Sequence, residues 1–206
     1  MQDPNARASS KNQSRLFQGF QPPQSNTTYV PNQFFDVVLR NAKNTGVIRC
    51  VAFLLRKTLG WCDQEGNPQE TEIVTDYQQL IQRAGIGRAR IREALDESER
   101  LNYLRCVRKG RSDSAGKRAV SSLFELRWND ISEYSTDPEI FTGFFAREGN
   151  RTYIPNQYLD YLIPNESLAV IKVVGAIIRH TIGFQNRYGF RRKQVAMSHT
   201  KLPRVT

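Results

Sequence analysis

One sequence pattern occurs twice in this chain of 206 residues. The segment TYVPNQFFD at 28–36 returns as TYIPNQYLD at 152–160, and the apolar run VAFLLRKTLGW at 51–61 returns as VGAIIRHTIGF at 174–184. Two matched blocks at nearly constant spacing predict two copies of one structural unit. The chain is therefore expected to contain two related domains.

The repeat divides the chain into four predicted parts. Residues 1–25 are rich in Gln, Ser, Asn and Pro and are interpreted as a flexible tail. Residues 26–127 form the first domain. Residues 128–150 carry five acids and are interpreted as a linker that lies away from nucleic acid. The second domain, 151–206, is expected to be incomplete at its C-terminus, because its pattern stops at Thr206, before the turn that follows in the first copy.

Each copy favours helices. Pro31 and Pro155 suit the first turn of a helix, where proline is tolerated. The second block is apolar all round, which is typical of a buried helix. It ends at Gly60 or Gly183, which we expect to adopt the left-handed cap conformation. The cations just before these glycines are interpreted as helix-capping residues rather than ligand contacts: Arg56, Lys57, Arg179 and His180.

A further series of elements follows in the first copy. ETEIVT alternates like a strand, and Asp76 is a candidate N-cap for a short helix. A Gly-Ile-Gly turn at 85–87 leads into a second helix from Arg88, whose inward face is Ile91, Ala94, Leu95 and Ser98. Two alternating strands around a polar turn complete the order of a winged helix-turn-helix. The predicted fold class is mainly α with small β wings, as tandem winged helix-turn-helix domains.

The residues from RKTLGW (56–61) to LNYL (101–104) resemble the N-terminal domain of phage replication O proteins and related plasmid initiators. The resemblance extends from about Thr28 to Leu104, and the RKTLGW block is its most particular part. Gly87 stands where that family usually has serine, and Ser98 stands where it usually has a core leucine. The resemblance implies binding to origin DNA and recruitment of the replicative helicase or other replication proteins.

The charge balance also indicates a polyanionic partner. The net charge is +10 and the isoelectric point is about 9.8, which favours nucleic acid over a merely basic surface. The three cysteines form no CxxC pair, which argues against zinc and against a disulfide framework and suits a reducing cytoplasm, that of a prokaryotic cell or a phage-infected host. No apolar run approaches the roughly 20 residues of a membrane span, so no membrane partner is expected.

Candidate contacts with double-stranded DNA fall into three groups. Arg88, Ala89, Arg90 and Arg92 begin the recognition helix, where arginine can read guanine or merely contact phosphates. Glu93 could accept from cytosine, but pairing with a neighbouring arginine is favoured. The wing is expected to contact the backbone or the minor groove, unless it is a solvated basic loop, through Arg105, Arg108, Lys109, Arg111, Lys117 and Arg118. The second copy adds Arg191, Arg192, Lys193, Lys201 and Arg204.

The same sequence gives little support for an enzyme. There is no GxxxxGK[ST] phosphate loop, and the glycines at 85–87 lack the third glycine of a dinucleotide site. Ser198 and His199 are sequence neighbours, which do not face each other on a helix. We expect no catalytic residue, no cofactor and no metal. The favoured function is a DNA-binding replication initiator, with a transcriptional regulator or a protein-interaction module as alternatives and the oligomeric state open.

Overall fold

The computed structural model describes residues 17–20, 25–113, 119–129, 133–147, 149–184 and 188–198. The first repeat begins with strand β1 (Thr27–Pro31), a π-helical segment π1 (Phe34–Leu39) and helix α1 (Thr45–Leu59). The central elements are β2 (Glu72–Thr75), α2 (Tyr77–Gln82), α3 (Ile91–Arg100), β3 (Leu104–Arg108), β4 (Ser122–Leu126), β5 (Trp128–Asn129) and β6 (Phe144–Phe145). The second repeat consists of β7 (Arg151–Pro155), a π-helical segment π2 (Tyr158–Leu162), α4 (Ile163–Asn165) and α5 (Leu168–His180).

The predicted fold class, mainly α in tandem winged helix-turn-helix domains, is wrong. Helices take up 42% of the residues and strands 20%, and the strands form three small sheets. Two of these sheets, β1–β7 and β5–β6, were not expected at all, because their strands pair across long sequence separations. Within the described residues, the second repeat also lacks a second helix pair with its own three-stranded sheet. The fold is therefore mixed α and β.

The opening segments of the two repeats form strands that pair with each other. β1 and β7 run antiparallel, with Tyr29 opposite Tyr153, and the two rings stack with centroids 4.3 Å apart. The flanking hydrogen bonds are reciprocal: Thr28 Oγ1 donates to Asn156 Oδ1 at 2.7 Å, and Thr152 Oγ1 donates to Asn32 Oδ1 at 2.6 Å. Equivalent residues thus make equivalent contacts about a local twofold axis through the tyrosine pair.

Two ion pairs follow the same symmetry. Arg56 Nε in α1 lies 3.0 Å from Asp160 in π2, and Arg179 Nη2 in α5 lies 2.8 Å from Asp36 in π1. Each arginine therefore reaches into the other repeat instead of capping its own helix, which corrects the interpretation from sequence. A charged pair with two hydrogen bonds fixes orientation as well as attracting.

The glycines that end the two long helices were also misinterpreted. Gly60 has φ −79° and ψ −9°, so it is right-handed, and Gly183 is not among the residues with positive φ. A Cβ at Gly60 would overlap the guanidinium and the carbonyl of Arg56, and one at Gly183 would overlap the carbonyl of Arg179. Glycine is needed at both positions because a Cβ would meet the main-chain carbonyl of the residue four positions earlier.

The central elements form a helix pair beside a three-stranded antiparallel sheet of order β2–β4–β3. The predicted Asp76 cap is confirmed, because its side chain accepts from Gln79 N at 2.8 Å. The predicted inward face of α3 is also confirmed, since Ile91, Ala94, Leu95 and Ser98 are all buried. Ser98 does not leave a gap in the core: its hydroxyl donates to Ala94 O at 2.6 Å.

The acidic segment between the repeats packs onto the first repeat. β5 pairs with β6 in parallel, and Phe141 and Phe144 are buried near Tyr103. Gln33 in the first repeat donates to Ser135 O and accepts from Phe145 N, both at 2.7 Å. The segment thereby closes over the start of π1.

Candidate nucleic-acid interface

The arginines predicted to read DNA lie at the exposed start of α3. Arg88–Arg90 form a single 3₁₀ turn that continues directly into α3, and Arg92 follows in the first α-helical turn. Arg88, Ala89, Arg90 and Arg92 are all exposed. These side chains point away from the core, because the apolar stripe of the helix begins only at Ile91. The four residues are therefore all exposed at the start of α3, with Arg90 on the side that faces α1 and Arg92 on the side that faces the hairpin.

The turn before α3 has a fixed backbone. Gly85 has φ +70°, a left-handed conformation that glycine adopts at little cost, and Ile86 N donates to Leu80 O at 3.1 Å. A Cβ at Gly85 would overlap the backbone of Pro164 in α4. Gly85 thus allows the turn to lie directly against the second repeat.

A half-buried arginine, Arg49, connects this turn to the second repeat. The Arg49 guanidinium donates to Gly85 O at 2.8 Å, to Ile163 O at 3.0 Å and to Glu166 O at 3.2 Å. Burial lowers the pKa of Arg49, although arginine remains charged at any ordinary pH. Sequence reasoning missed this residue, and the one signal for it was a lone charge within the apolar run of α1.

Two of the four exposed residues are paired with acids on the same helix. Arg90 Nη1 lies 2.9 Å from Glu93, which confirms the predicted pairing of that acid, and Arg92 Nε lies 3.2 Å from Asp96. These side chains are all more than half exposed, and exposed pairs of this spacing contribute only about 0.3–0.5 kcal/mol. A phosphate could therefore displace either acid at little cost.

The β3–β4 hairpin presents further cations beside α3. Arg105 is paired with Glu125 at 2.7 Å, whereas Arg108, Lys109 and Arg111 are exposed. Arg111 N donates to Val120 O and Val120 N donates to Arg111 O, both at 2.9 Å, and this antiparallel bridge closes the described part of the hairpin. The remaining predicted wing residues, Lys117 and Arg118, lie outside the described residues.

A cleft of about 670 Å³ separates α3 from the hairpin. Cations line it from both sides, with Arg92 on α3 and Lys109 and Arg111 on the hairpin. Asp96 and Glu99 line it as well, and they lie further along α3 than the four exposed residues at its start. The lining of the cleft is therefore mixed in charge, with Asp76, Asp96 and Glu99 beside Arg92, Lys109 and Arg111.

The cations predicted in the second repeat are arranged differently. Arg191 is half-buried, donates to Ile182 O at 2.5 Å and lies over the Tyr153 ring at 5.5 Å. Arg192 is exposed and lies over the Phe184 ring at 5.3 Å, and Lys193 is exposed. Arg191 thus contributes to packing near the strand pair, while Arg192 and Lys193 remain open to solvent. Lys201 and Arg204 lie outside the described residues.

Comparisons with protein-family models, with curated proteins and with solved structures found no match.

Over the described ranges, no three His, Cys, Asp or Glu side chains are grouped so that they could hold a metal ion. His180 stacks on Phe184 with ring centroids 5.6 Å apart, and burial is the main reason that its pKa is lowered. None of the helices in the described part of the chain is both long enough and apolar enough to cross a bilayer.

Proposed function

We propose that this protein binds double-stranded DNA with the start of α3 in the major groove and the β3–β4 hairpin on the adjacent backbone. The observation that carries the proposal is the exposed, arginine-rich start of α3, which follows a turn that Arg49 and Pro164 hold in place. An exposed helix start flanked by a basic hairpin matches the dimensions and the charge of a major groove.

The ion pairs on α3 are compatible with this mode of binding. The Arg88 side chain makes no hydrogen bond or ion pair with the described residues, so its guanidinium is available for a base or a phosphate. Arg90 and Arg92 would exchange exposed carboxylates for phosphates or for guanine, and a good bidentate guanine contact provides about 1–3 kcal/mol of discrimination. The acids near the end of α3 would keep that end away from the backbone, which sets the orientation of the helix.

The biological role proposed for this binding is replication initiation in a prokaryotic or phage-infected cytoplasm, with replicative helicase or other replication proteins as partners. It depends on the resemblance of residues 56–104 to phage replication O proteins and plasmid initiators. A transcriptional regulator would use the same surface on promoter DNA. A protein-interaction module would use the basic surface only for unspecific contact.

The test is selection of bound sequences from a random duplex pool at two salt concentrations. The full chain is compared with the variant R88A/R90A/R92A, which removes three charges from the start of α3. We expect an enriched motif with the full chain and an affinity at least about 30-fold weaker with the variant, since removing each base contact costs about 1–3 kcal/mol. The salt dependence should also decrease by about one counterion for each phosphate that the variant no longer neutralises.

The matched control is R40A/K43A/R100A, which removes the same charge from exposed positions away from the start of α3. This variant should retain the motif and lose less than about threefold in affinity. Equal losses with both triple variants would mean that only the net charge matters, and the proposal of specific reading would be wrong. Binding without any enriched motif would favour the interaction module.

A further inference from the structure

A short motif of the form Phe-x-Gly-Phe precedes the opening strand of each repeat. It reads FQGF at 17–20, before β1, and FTGF at 141–144, before β7. The second copy lies 124 residues after the first, which is also the distance between TYVPNQ at 28–33 and TYIPNQ at 152–157. The motif therefore belongs to the repeat, and we refer to its two copies as the first and second FxGF motifs.

The two motifs have the same local shape. Gly19 has φ +105° and Gly143 has φ +149°, a region of backbone conformation that favours glycine. In the first motif the two phenylalanine rings make an edge-to-face contact with centroids 4.9 Å apart, and in the second the corresponding distance is 5.5 Å. Because sequence, backbone and ring contact agree, the contacts of one motif indicate what the other can bind.

The second FxGF motif docks into the core through both of its phenylalanines. Phe141 is 6% exposed, and its ring centroid lies 5.4 Å from that of Tyr103. Phe144 is fully buried beside Trp128, with ring centroids 6.1 Å apart. The motif therefore acts as an anchor that places two phenylalanines against other aromatic rings.

The first FxGF motif lies on π2 of the second repeat. Phe17 stacks on Tyr161, with ring centroids 5.5 Å apart and an angle of 15° between the ring planes. Phe17 is nevertheless 38% exposed and Phe20 is 37% exposed. A Cβ at Gly19 would meet no atom within 4 Å, whereas one at Gly143 would overlap the main chain. The first motif therefore makes the same kind of aromatic contact as the second but buries much less of itself.

We propose that the surface of π2 around Tyr161 is a binding site for Phe-x-Gly-Phe peptides, with the first FxGF motif as an exchangeable ligand bound within its own chain. Hydrophobic stabilisation increases with the apolar area removed from water, so the half-open first motif is held far more weakly than the buried second one. A tethered ligand nevertheless fills its site, because a short linker gives it an effective concentration of about 1 mM. A free peptide with the same two rings then competes for Tyr161.

The test uses an end-blocked peptide with the sequence of residues 14–22 and the full chain carrying F17S/F20S, whose own motif can no longer compete. The amide chemical shifts of π2 are followed by NMR as the peptide is added. We expect saturation with a Kd below about 1 mM, and an apparent Kd at least about threefold higher with the unaltered chain. The peptide with F17S/F20S should not bind. The peptide with G19A should bind about fivefold more weakly, because alanine rarely adopts a positive φ.

Substitutions of Tyr161 in the F17S/F20S chain locate the site. Y161S should weaken peptide binding at least about fivefold, since it removes the ring on which Phe17 stacks. Y161F should retain the binding, since the ring remains. The matched control is Y77S, because Tyr77 is 44% exposed and lies on α2, outside π2. All three variants should keep the dispersed amide spectrum of a folded chain.

Four results would overturn the proposal. The first is no shift of the π2 amides in the F17S/F20S chain up to about 5 mM peptide, well above the effective concentration of a tethered motif. The second is equal affinity for the unaltered chain, which would mean that its own motif does not occupy the site. The third is equal binding by Y161S. The fourth is a concentration-dependent dimer of the unaltered chain in sedimentation velocity that F17S/F20S abolishes, which would mean that the motif binds a second copy.

Discussion

At the scale of single residues, the two arginine–aspartate pairs between the repeats were not predictable from local sequence. Arg56 and Asp160 are 104 residues apart, and Arg179 and Asp36 are 143 apart. A cation near a helix end has a ready local explanation, namely capping, and sequence periodicity gives no information about a distant acid. Only the recurrence of both an aspartate and an arginine in each repeat could have indicated the pairing.

The two pairs should differ in their contribution to stability. Asp36 is 24% exposed and also accepts from Tyr134 Oη at 3.3 Å, whereas Asp160 is 49% exposed. We expect D36N to reduce the free energy of unfolding by about 1–3 kcal/mol, since it weakens a hydrogen-bonded charge pair. D160N should cost less than about 1 kcal/mol, as for exposed pairs. Urea unfolding of both variants measures this, and an equal or larger loss in D160N would contradict it.

At the scale of elements, the sequence predicted best where local signals and periodicity agreed. The Asp76 cap, the turn at 85–87 and the buried stripe of α3 are all set by residues within a few positions of each other. The openings of the repeats were predicted as helix starts because of Pro31 and Pro155, but these prolines end strands β1 and β7. Strand pairing depends on a partner far along the chain, so the local pattern could not give it.

A helix in one repeat contains a glycine where the other has alanine, and this difference can be tested. Gly175 in α5 corresponds to Ala52 in α1, and Tyr158 corresponds to Phe34. A Cβ at Gly175 would overlap the Tyr158 hydroxyl and the end of the Leu39 side chain. We expect G175A to cost about 1–3 kcal/mol of stability through overpacking.

Removing the hydroxyl should restore part of that loss. The double variant Y158F/G175A reproduces the Phe34 and Ala52 pair of the first repeat, so the two changes should be coupled favourably in a double-mutant cycle. Tyr158 Oη also donates to Ile171 O at 2.8 Å, so Y158F alone should destabilise. The control is G87A, because a Cβ at Gly87 meets no atom within 4 Å and φ there is −61°. Additive losses measured by thermal or urea unfolding would contradict the predicted coupling.

At the scale of the whole molecule, the repeat was recognised from sequence but its arrangement was not. Two copies of one pattern suggested two similar domains side by side, whereas the repeats pair through β1 and β7 about a local twofold axis. The position of the candidate site could be predicted from sequence, because Arg88, Arg90 and Arg92 are close in sequence and lie at the start of one helix. Its support from Arg49 and α4 depends on the repeat arrangement and therefore escaped prediction.

The twofold arrangement predicts how half of the molecule would behave. In a fragment of residues 25–147, strand β1 would lose β7, and Asp36 would lose Arg179. A second fragment could replace both, because the register that places Tyr29 opposite Tyr153 also lets β1 pair with itself. We expect this fragment to be a dimer in sedimentation velocity, and the full chain to show no dimer that depends on β1. A folded, monomeric fragment would show that the strand pair is dispensable.

Joining two repeats in one polypeptide frees each of them to change alone. In a symmetric dimer of identical subunits, any substitution occurs on both sides of the axis. A tyrosine that needs a neighbouring glycine would therefore occur in both subunits. Here the Tyr158 and Gly175 combination occurs once and the Phe34 and Ala52 combination once, while Arg49 and Lys172 perform unequal tasks at equivalent positions. A single chain thus permits specialisation: the first repeat is followed by the helix pair and the three-stranded sheet, while α4 of the second repeat supports the turn before α3.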